Sequence, residues 1–157
     1  MIQRIQTIWF FLAALILVLM IFLPILVSND QHGTTLPLLY TQGFAASWDA
    51  GEFVAVKIEP TYPLLLTNVG LAVICLVNIF NFRNRTLQKK VAISTIILII
   101  GFAFWCSVYA KQLPGGIENA NFGAGAYMPA LAILFIVLGI FGINKDERLI
   151  RSAERLR

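Results

Sequence analysis

Charge is scarce in this 157-residue sequence: Asp, Glu, Lys and Arg make up 13% of it, against about 25% in typical globular domains. Apolar residues make up 59%. A soluble domain of about 150 residues buries only about 70% of its unfolded-chain surface, so water would meet much of this hydrocarbon. That excludes an ordinary soluble fold and makes lipid the solvent for the remainder.

Histidine is almost absent. His32 alone supplies no pair of axial imidazoles for a haem, and a zinc site built on it would need ligands from elsewhere. Cysteine occurs twice, as Cys75 and Cys106, with no C-x-x-C motif. The two lie about twelve and about four residues from the same end of their apolar runs, a depth difference of more than about 10 Å. A disulfide needs Cα atoms within about 7 Å, so both are expected as small buried apolar side chains. G-x-S-x-G, H-E-x-x-H and a phosphate-cradling glycine loop are missing. Asp49, Glu52 and Glu59 cluster, but a turn and a pre-helix loop account for them without a catalytic carboxylate pair. The reading is therefore of no enzyme, with no catalytic residue, no cofactor and no metal site. The formal charge of +4 and pI near 9.3 come without a basic stripe interleaved with aromatics, which argues against nucleic acid as a partner.

What the sequence has is four apolar runs, Ile8 to Val27, Tyr62 to Phe82, Val91 to Ala110 and Ala124 to Ile143, each close to the roughly 20 residues that cross a hydrocarbon core of about 30 Å. None contains Asp, Glu, Lys, Arg or His. In the first, fifteen residues are Leu, Ile, Val or Phe, each worth roughly 0.3 to 0.6 kcal/mol for insertion near the bilayer centre. Lipid offers no partner to an unpaired amide, so each run must be a helix. The predicted fold is an all-α membrane protein, an up-down bundle of four transmembrane helices. A cleaved signal peptide is the rival reading of the first run, but the run exceeds the usual 7 to 15 apolar residues and Val27-Ser28-Asn29-Asp30 lacks an A-x-A-like site.

Basic residues set the orientation. Arg83, Arg85, Lys89 and Lys90 fall in the second connection, and Lys145, Arg148, Arg151, Arg155 and Arg157 in the tail; with Arg4 that makes ten on one side, against Lys57 and Lys111 on the other. The positive-inside rule then places both termini and the middle connection in the cytoplasm of a bacterial inner membrane.

Prolines mark ends. Pro60 and Pro63 precede or open the second span, Pro24 bends or terminates the first, and Pro129 either opens the fourth or kinks it one turn in. The first outer connection, about 28–61, is too long for a turn and too apolar for a linker. Val54, Val56 and Ile58 alternate with Phe53, Ala55 and Lys57, which reads as a strand pairing with Gly43 to Trp48 in a small β-hairpin across Asp49-Ala50-Gly51. The second outer connection, Lys111 to Gly123, carries Pro114-Gly115-Gly116 and reads as turn and loop. The tail, 144–157, is expected to continue the fourth helix, with Leu149, Ile150, Ala153 and Leu156 on one side, Arg148, Arg151 and Arg155 as a neighbouring basic stripe for docking, and Glu147 paired with Arg151.

Ion-coupled transport normally leaves an ionisable residue facing the bundle interior, and no span holds one. The strongest polar positions left are Asn68, Asn78, Ser94 and Thr95, read as contacts between helices or, alternatively, as a polar cleft between spans two and three. Ala126 with Ala130, and Gly139 with Gly142, have the spacing of small residues that let helices approach closely.

The opening Met1-Ile-Gln-Arg-Ile-Gln-Thr7 and the closing Lys145-Asp-Glu-Arg-Leu-Ile-Arg-Ser-Ala-Glu-Arg-Leu-Arg157 resemble the uncharacterised four-helix inner-membrane protein family of Bacteroidota, a domain of unknown function. The resemblance implies a bacterial inner membrane and no activity. The layout is also similar to claudin-like membrane proteins, although the first loop lacks their pair of cysteines. The function expected is that of a non-enzymatic accessory or scaffold subunit, with the lipid bilayer and other inner-membrane proteins as partners. A small transporter or lipid-handling protein is the alternative.

Overall fold

The computed structural model, which describes residues 3–29, 35–46, 57–60, 62–111 and 120–155, holds four helices and five short strands among those residues. The helices are α1 (Gln3–Leu19), α2 (Tyr62–Phe80), α3 (Arg85–Ala110) and α4 (Ala124–Arg155); a 3₁₀ turn, Asn81–Arg83, joins α2 to α3. The strands are β1 (Leu26–Asn29), β2 (Thr35–Tyr40), β3 (Gly43–Ala46), β4 (Lys57–Pro60) and β5 (Ala120–Phe122). The chain is an all-α bundle carrying a small antiparallel sheet.

α1 packs most extensively on α4 and α2, and α3 closes the ring between α2 and α4. Buried positions recur at alternating steps of four and three residues: Gln6, Phe10, Ala13 and Leu17 on α1; Leu64, Asn68, Leu71, Cys75 and Asn78 on α2; Gln88, Ala92, Thr95, Ile99 and Phe102 on α3; Gly125, Pro129, Ala132, Ile136, Gly139, Ile143 and Asp146 on α4. This is the heptad spacing that near-antiparallel helices bury against one another. The opposite faces are apolar too, with Phe11, Leu66, Phe104 and Phe141 all more than half exposed. Such a surface requires lipid. α2, α3 and the Ala124–Leu149 part of α4 are long and apolar enough to cross a membrane; the apolar part of α1, Gln6–Leu19, is shorter. The molecule is a multi-pass membrane protein.

The sheet runs in the order β4-β3-β2-β1-β5. Because its strands lie between α1 and α2 and between α3 and α4, it sits at one end of the bundle, and the 3₁₀ turn, the start of α1 and the end of α4 lie at the other. Two backbone junctions fix it there. The end of α1 has carbonyls without helical partners, and the β2–β3 turn supplies donors: Thr41 Oγ1 donates to the Met20 carbonyl at 3.1 Å and Gln42 Nε2 to that of Ile21 at 3.3 Å. At the start of α4, the amides of Gly123 and Gly125 donate to the carbonyls of Ile25 and Pro24 at 2.9 and 2.8 Å.

Three expectations change. The first span was expected over Ile8 to Val27, whereas α1 stops at Leu19, tightens through Phe22, and residues from Leu26 onward already form β1. Pro24 is the reason, since the residue before a proline is pushed out of the helical region and Ile25 bonds to Leu39 in the sheet instead. The second outer connection was read as loop, yet Ala120–Phe122 is a strand beside β1. The expected hairpin proves to be part of the larger sheet. β3 pairs with β4, Gly43 opposite Pro60 and Ala46 opposite Lys57, while Val54, Val56, Asp49-Ala50-Gly51, Glu52 and His32 lie outside the described residues. Pro129 lies inside α4, which starts five residues earlier. The tail does continue α4 as helix to Arg155.

Candidate functional site

Of the polar residues expected in the spans, Asn68, Asn78 and Thr95 each engage a different partner. Asn68 is fully buried and donates from Nδ2 to the Leu17 carbonyl of α1 at 3.0 Å. Asn78 lies ten residues further along α2, about 15 Å deeper. Its Nδ2 donates to the Gln88 carbonyl of α3, and Gln88 Nε2 donates back to the Asn78 carbonyl, both at 3.2 Å. Thr95 is buried and donates to the Val91 carbonyl of its own helix at 2.8 Å. Ser94 is exposed.

The remaining two helix pairs are tied at the end opposite the sheet. Gln6 of α1 donates from Nε2 to Asp146 of α4, both buried. Lys89 of α3 bonds Glu147 at 2.8 Å and Asn144 Oδ1 at 3.3 Å, both on α4. All four neighbouring pairs are therefore joined by a side-chain hydrogen bond. Four of these buried groups also keep an acceptor without a partner among the described residues: Asn68 Oδ1, Asn78 Oδ1, Gln88 Oε1 and Asp146 Oδ1. Glu147 was expected to pair with Arg151, whose side chain lies outside the described residues; Glu147 bonds Lys89.

Glycines let the helices approach. A Cβ on Gly139 would stand 3.1 Å from the Phe10 ring, and one on Gly142 would stand 3.1 Å from Cγ of Gln6. Ala130, by contrast, is exposed. Cys75 and Cys106 are both buried and free.

Of the basic residues, Arg83 belongs to the 3₁₀ turn, Arg85 is half-buried, and Lys90 and Arg148 are exposed. Arg151 and Arg155 lie on the last turns of α4. Two cavities stand out. One, of about 580 Å³, is lined by Asn84, Arg85, Thr86, Leu87, Lys90 and Glu147. The other, of about 180 Å³, lies beneath the sheet among mainly apolar side chains, including Met20, Ile25, Cys106, Phe122 and Pro129. Among the described residues no group of three or more His, Cys, Asp or Glu is placed to hold a metal ion.

This arrangement, extending over the whole length of the chain, can be set against known families. A family model matches residues 2–156. The chain belongs to the DUF4293 family, a domain of unknown function. No curated protein matches it, and neither does any solved structure. In this DUF4293 chain, three of the buried residues that tie the helices were not singled out by the sequence reading: Gln6, Gln88 and Asp146. Gln6 and Asp146 stand within the terminal stretches that carried the family resemblance. A search for polar or small residues at four-three spacing, continued past the ends of the apolar runs, finds all three.

Proposed function

We propose that this chain is a non-enzymatic accessory or scaffold subunit of a bacterial inner membrane, crossing it four times with the sheet outside and the basic end in the cytoplasm. The carrying observation is how the polar groups are used: among the described residues they join each helix to its neighbour and converge on no common cleft. What is left to meet partners lies at the two ends, a five-stranded sheet at one and the last turns of a 32-residue α4 at the other. At about 1.5 Å per residue α4 is about 48 Å long, so it extends well past a core of about 30 Å.

Two contacts support the fourth crossing. Gln6 meets Asp146 at one end of the bundle, and Leu26 pairs with Phe122 at the other, so α1 and its turn cover the same depth as α4. The bias of basic residues supports the orientation, and the resemblance of the termini to Bacteroidota proteins supports the compartment. The alternative, a small transporter or lipid-handling protein, draws on the apolar cavity beneath the sheet rather than on Asn68, Asn78, Ser94 and Thr95.

Purification of the full chain at native expression in mild detergent, followed by quantitative mass spectrometry, tests the proposal. A stoichiometric membrane partner is expected, and its recovery should fall when the exposed Phe122 of the sheet is changed to Asp. Recovery of the chain alone in repeated preparations contradicts the proposal.

A further inference from the structure

We infer that the groove between the start of α3 and α4 is a binding site for the phosphodiester headgroup of an anionic phospholipid; the inference rests on the membrane-spanning reading above. The groove is an open depression of about 580 Å³ at the end of the bundle away from the sheet. Two cations line it, Arg85 and Lys90, and neither is ion-paired among the described residues. The one carboxylate in its wall, Glu147, is held by Lys89 at 2.8 Å, so its charge is balanced from outside the groove. Thr86 adds a hydroxyl donor and Asn84 an amide. Cationic pockets between helices at the cytoplasmic face are where anionic headgroups are held.

A second observation distinguishes a lipid from a free phosphate. Thr86 and Lys90 begin a stripe that continues along α3, at steps of four and three residues, through Ile93, Ile97 and Ile100, all exposed. From Lys90 to Ile100 is ten residues, about 15 Å, or one leaflet of a core of about 30 Å. A polar groove thus opens onto an apolar track as long as one leaflet. A lipid matches both parts, with its phosphate between Arg85 and Lys90 and an acyl chain along the isoleucines, whereas a soluble phosphate matches only the first.

The test is native mass spectrometry of the full chain released from nanodiscs of phosphatidylcholine containing a minor fraction of phosphatidylglycerol. The wild-type chain is expected to retain phosphatidylglycerol in preference to phosphatidylcholine. Arg85→Gln combined with Lys90→Gln should reduce that retention by on the order of tenfold. Lys111→Gln combined with Lys145→Gln removes as much charge from exposed positions outside the groove, and should leave it unchanged. Arg85→Lys with Lys90→Arg should restore it, which separates loss of the site from loss of the fold. Equal loss in the two Gln pairs, or no preference in the wild type, overturns the inference. So does displacement of the lipid by millimolar inorganic phosphate, which would make the free anion the ligand. Retention does not depend on which face is cytoplasmic, so a reversed topology would overturn the functional proposal and leave this result standing.

Discussion

Gly123 and Gly125 stand where no side chain fits. A Cβ on Gly125 would lie 2.7 Å from the Leu23 carbonyl oxygen and 2.8 Å from that of Pro24, and one on Gly123 would collide with the Pro24 carbonyl oxygen. These atoms are backbone and cannot rotate away, so relief requires moving the start of α4 off the end of α1. Overpacking of this kind costs about 1–3 kcal/mol. At Gly70 and Gly101 a Cβ would meet nothing within 4 Å, and alanine there gains helix propensity of up to about 1 kcal/mol. Thermal unfolding in detergent should accordingly show Gly125→Ala and Gly123→Ala lowered by several degrees, with Gly70→Ala and Gly101→Ala unchanged or raised. A Gly125→Ala protein as stable as Gly101→Ala would remove this junction from the account. None of this was legible in the sequence, where Gly123-Ala124-Gly125 reads only as a loop ending; the need for glycine arises from the turn after α1, a hundred residues away. Asn68 and Asn78 were legible, because an amide inside an apolar run must find a partner. Asp146 was not, since among the charges of the tail nothing local separates a buried carboxyl from a solvated one.

At the scale of elements, helices were readable and strands much less so. Twenty apolar residues in lipid have one local solution, which is why α2 and α4 begin at the expected positions and α3 ends at Ala110 as expected, although α3 starts six residues early, at Arg85. The apolar run also misled once, because Leu26 and Val27 are as apolar in a strand as in a span and hydropathy alone did not mark the change at Pro24. The three-residue β5 has no periodicity to read; it is a strand because β1 lies beside it. That pairing makes a register prediction. In a chain carrying Cys75→Ala and Cys106→Ala, cysteines replacing Val27 and Asn121 should form a disulfide under mild oxidation, since directly paired residues lie about 4.5–5.5 Å apart at Cα. Cysteines replacing Val27 and Phe122 should not, because neighbouring residues of a strand point to opposite faces. Efficient cross-linking of the second pair and not the first would mean the register is shifted by one.

At the scale of the molecule, the sequence pattern and the fold agree on which connections share an end of the bundle. Basic residues were assigned to one side by counting them in the gaps between spans; the fold brings the same gaps to one end because the sheet collects the other connections. The sheet forms one hydrogen-bonded unit, β1 to β5, at that other end of the bundle. What hydropathy alone did not convey is that the bundle interior is in places more polar than its surface, with Gln6, Asn68, Asn78, Gln88, Thr95 and Asp146 inside and Leu66, Ile97, Phe104 and Phe141 outside. In lipid that inversion is stable because burial of a leucine gains little there, whereas an interhelical hydrogen bond contributes about 0.6 kcal/mol on average.

The central claim is that the bundle crosses the membrane with the sheet on one face and the α2–α3 turn and the end of α4 on the other. Single cysteines at Asn121, Asn84 and Ser152, all exposed positions, in the chain carrying Cys75→Ala and Cys106→Ala, test it with a membrane-impermeant thiol reagent. In intact spheroplasts the account predicts labelling at 121 alone, and at 84 and 152 only once the membrane is opened. Labelling of 84 or 152 in sealed spheroplasts, or of all three from the same side, would contradict it.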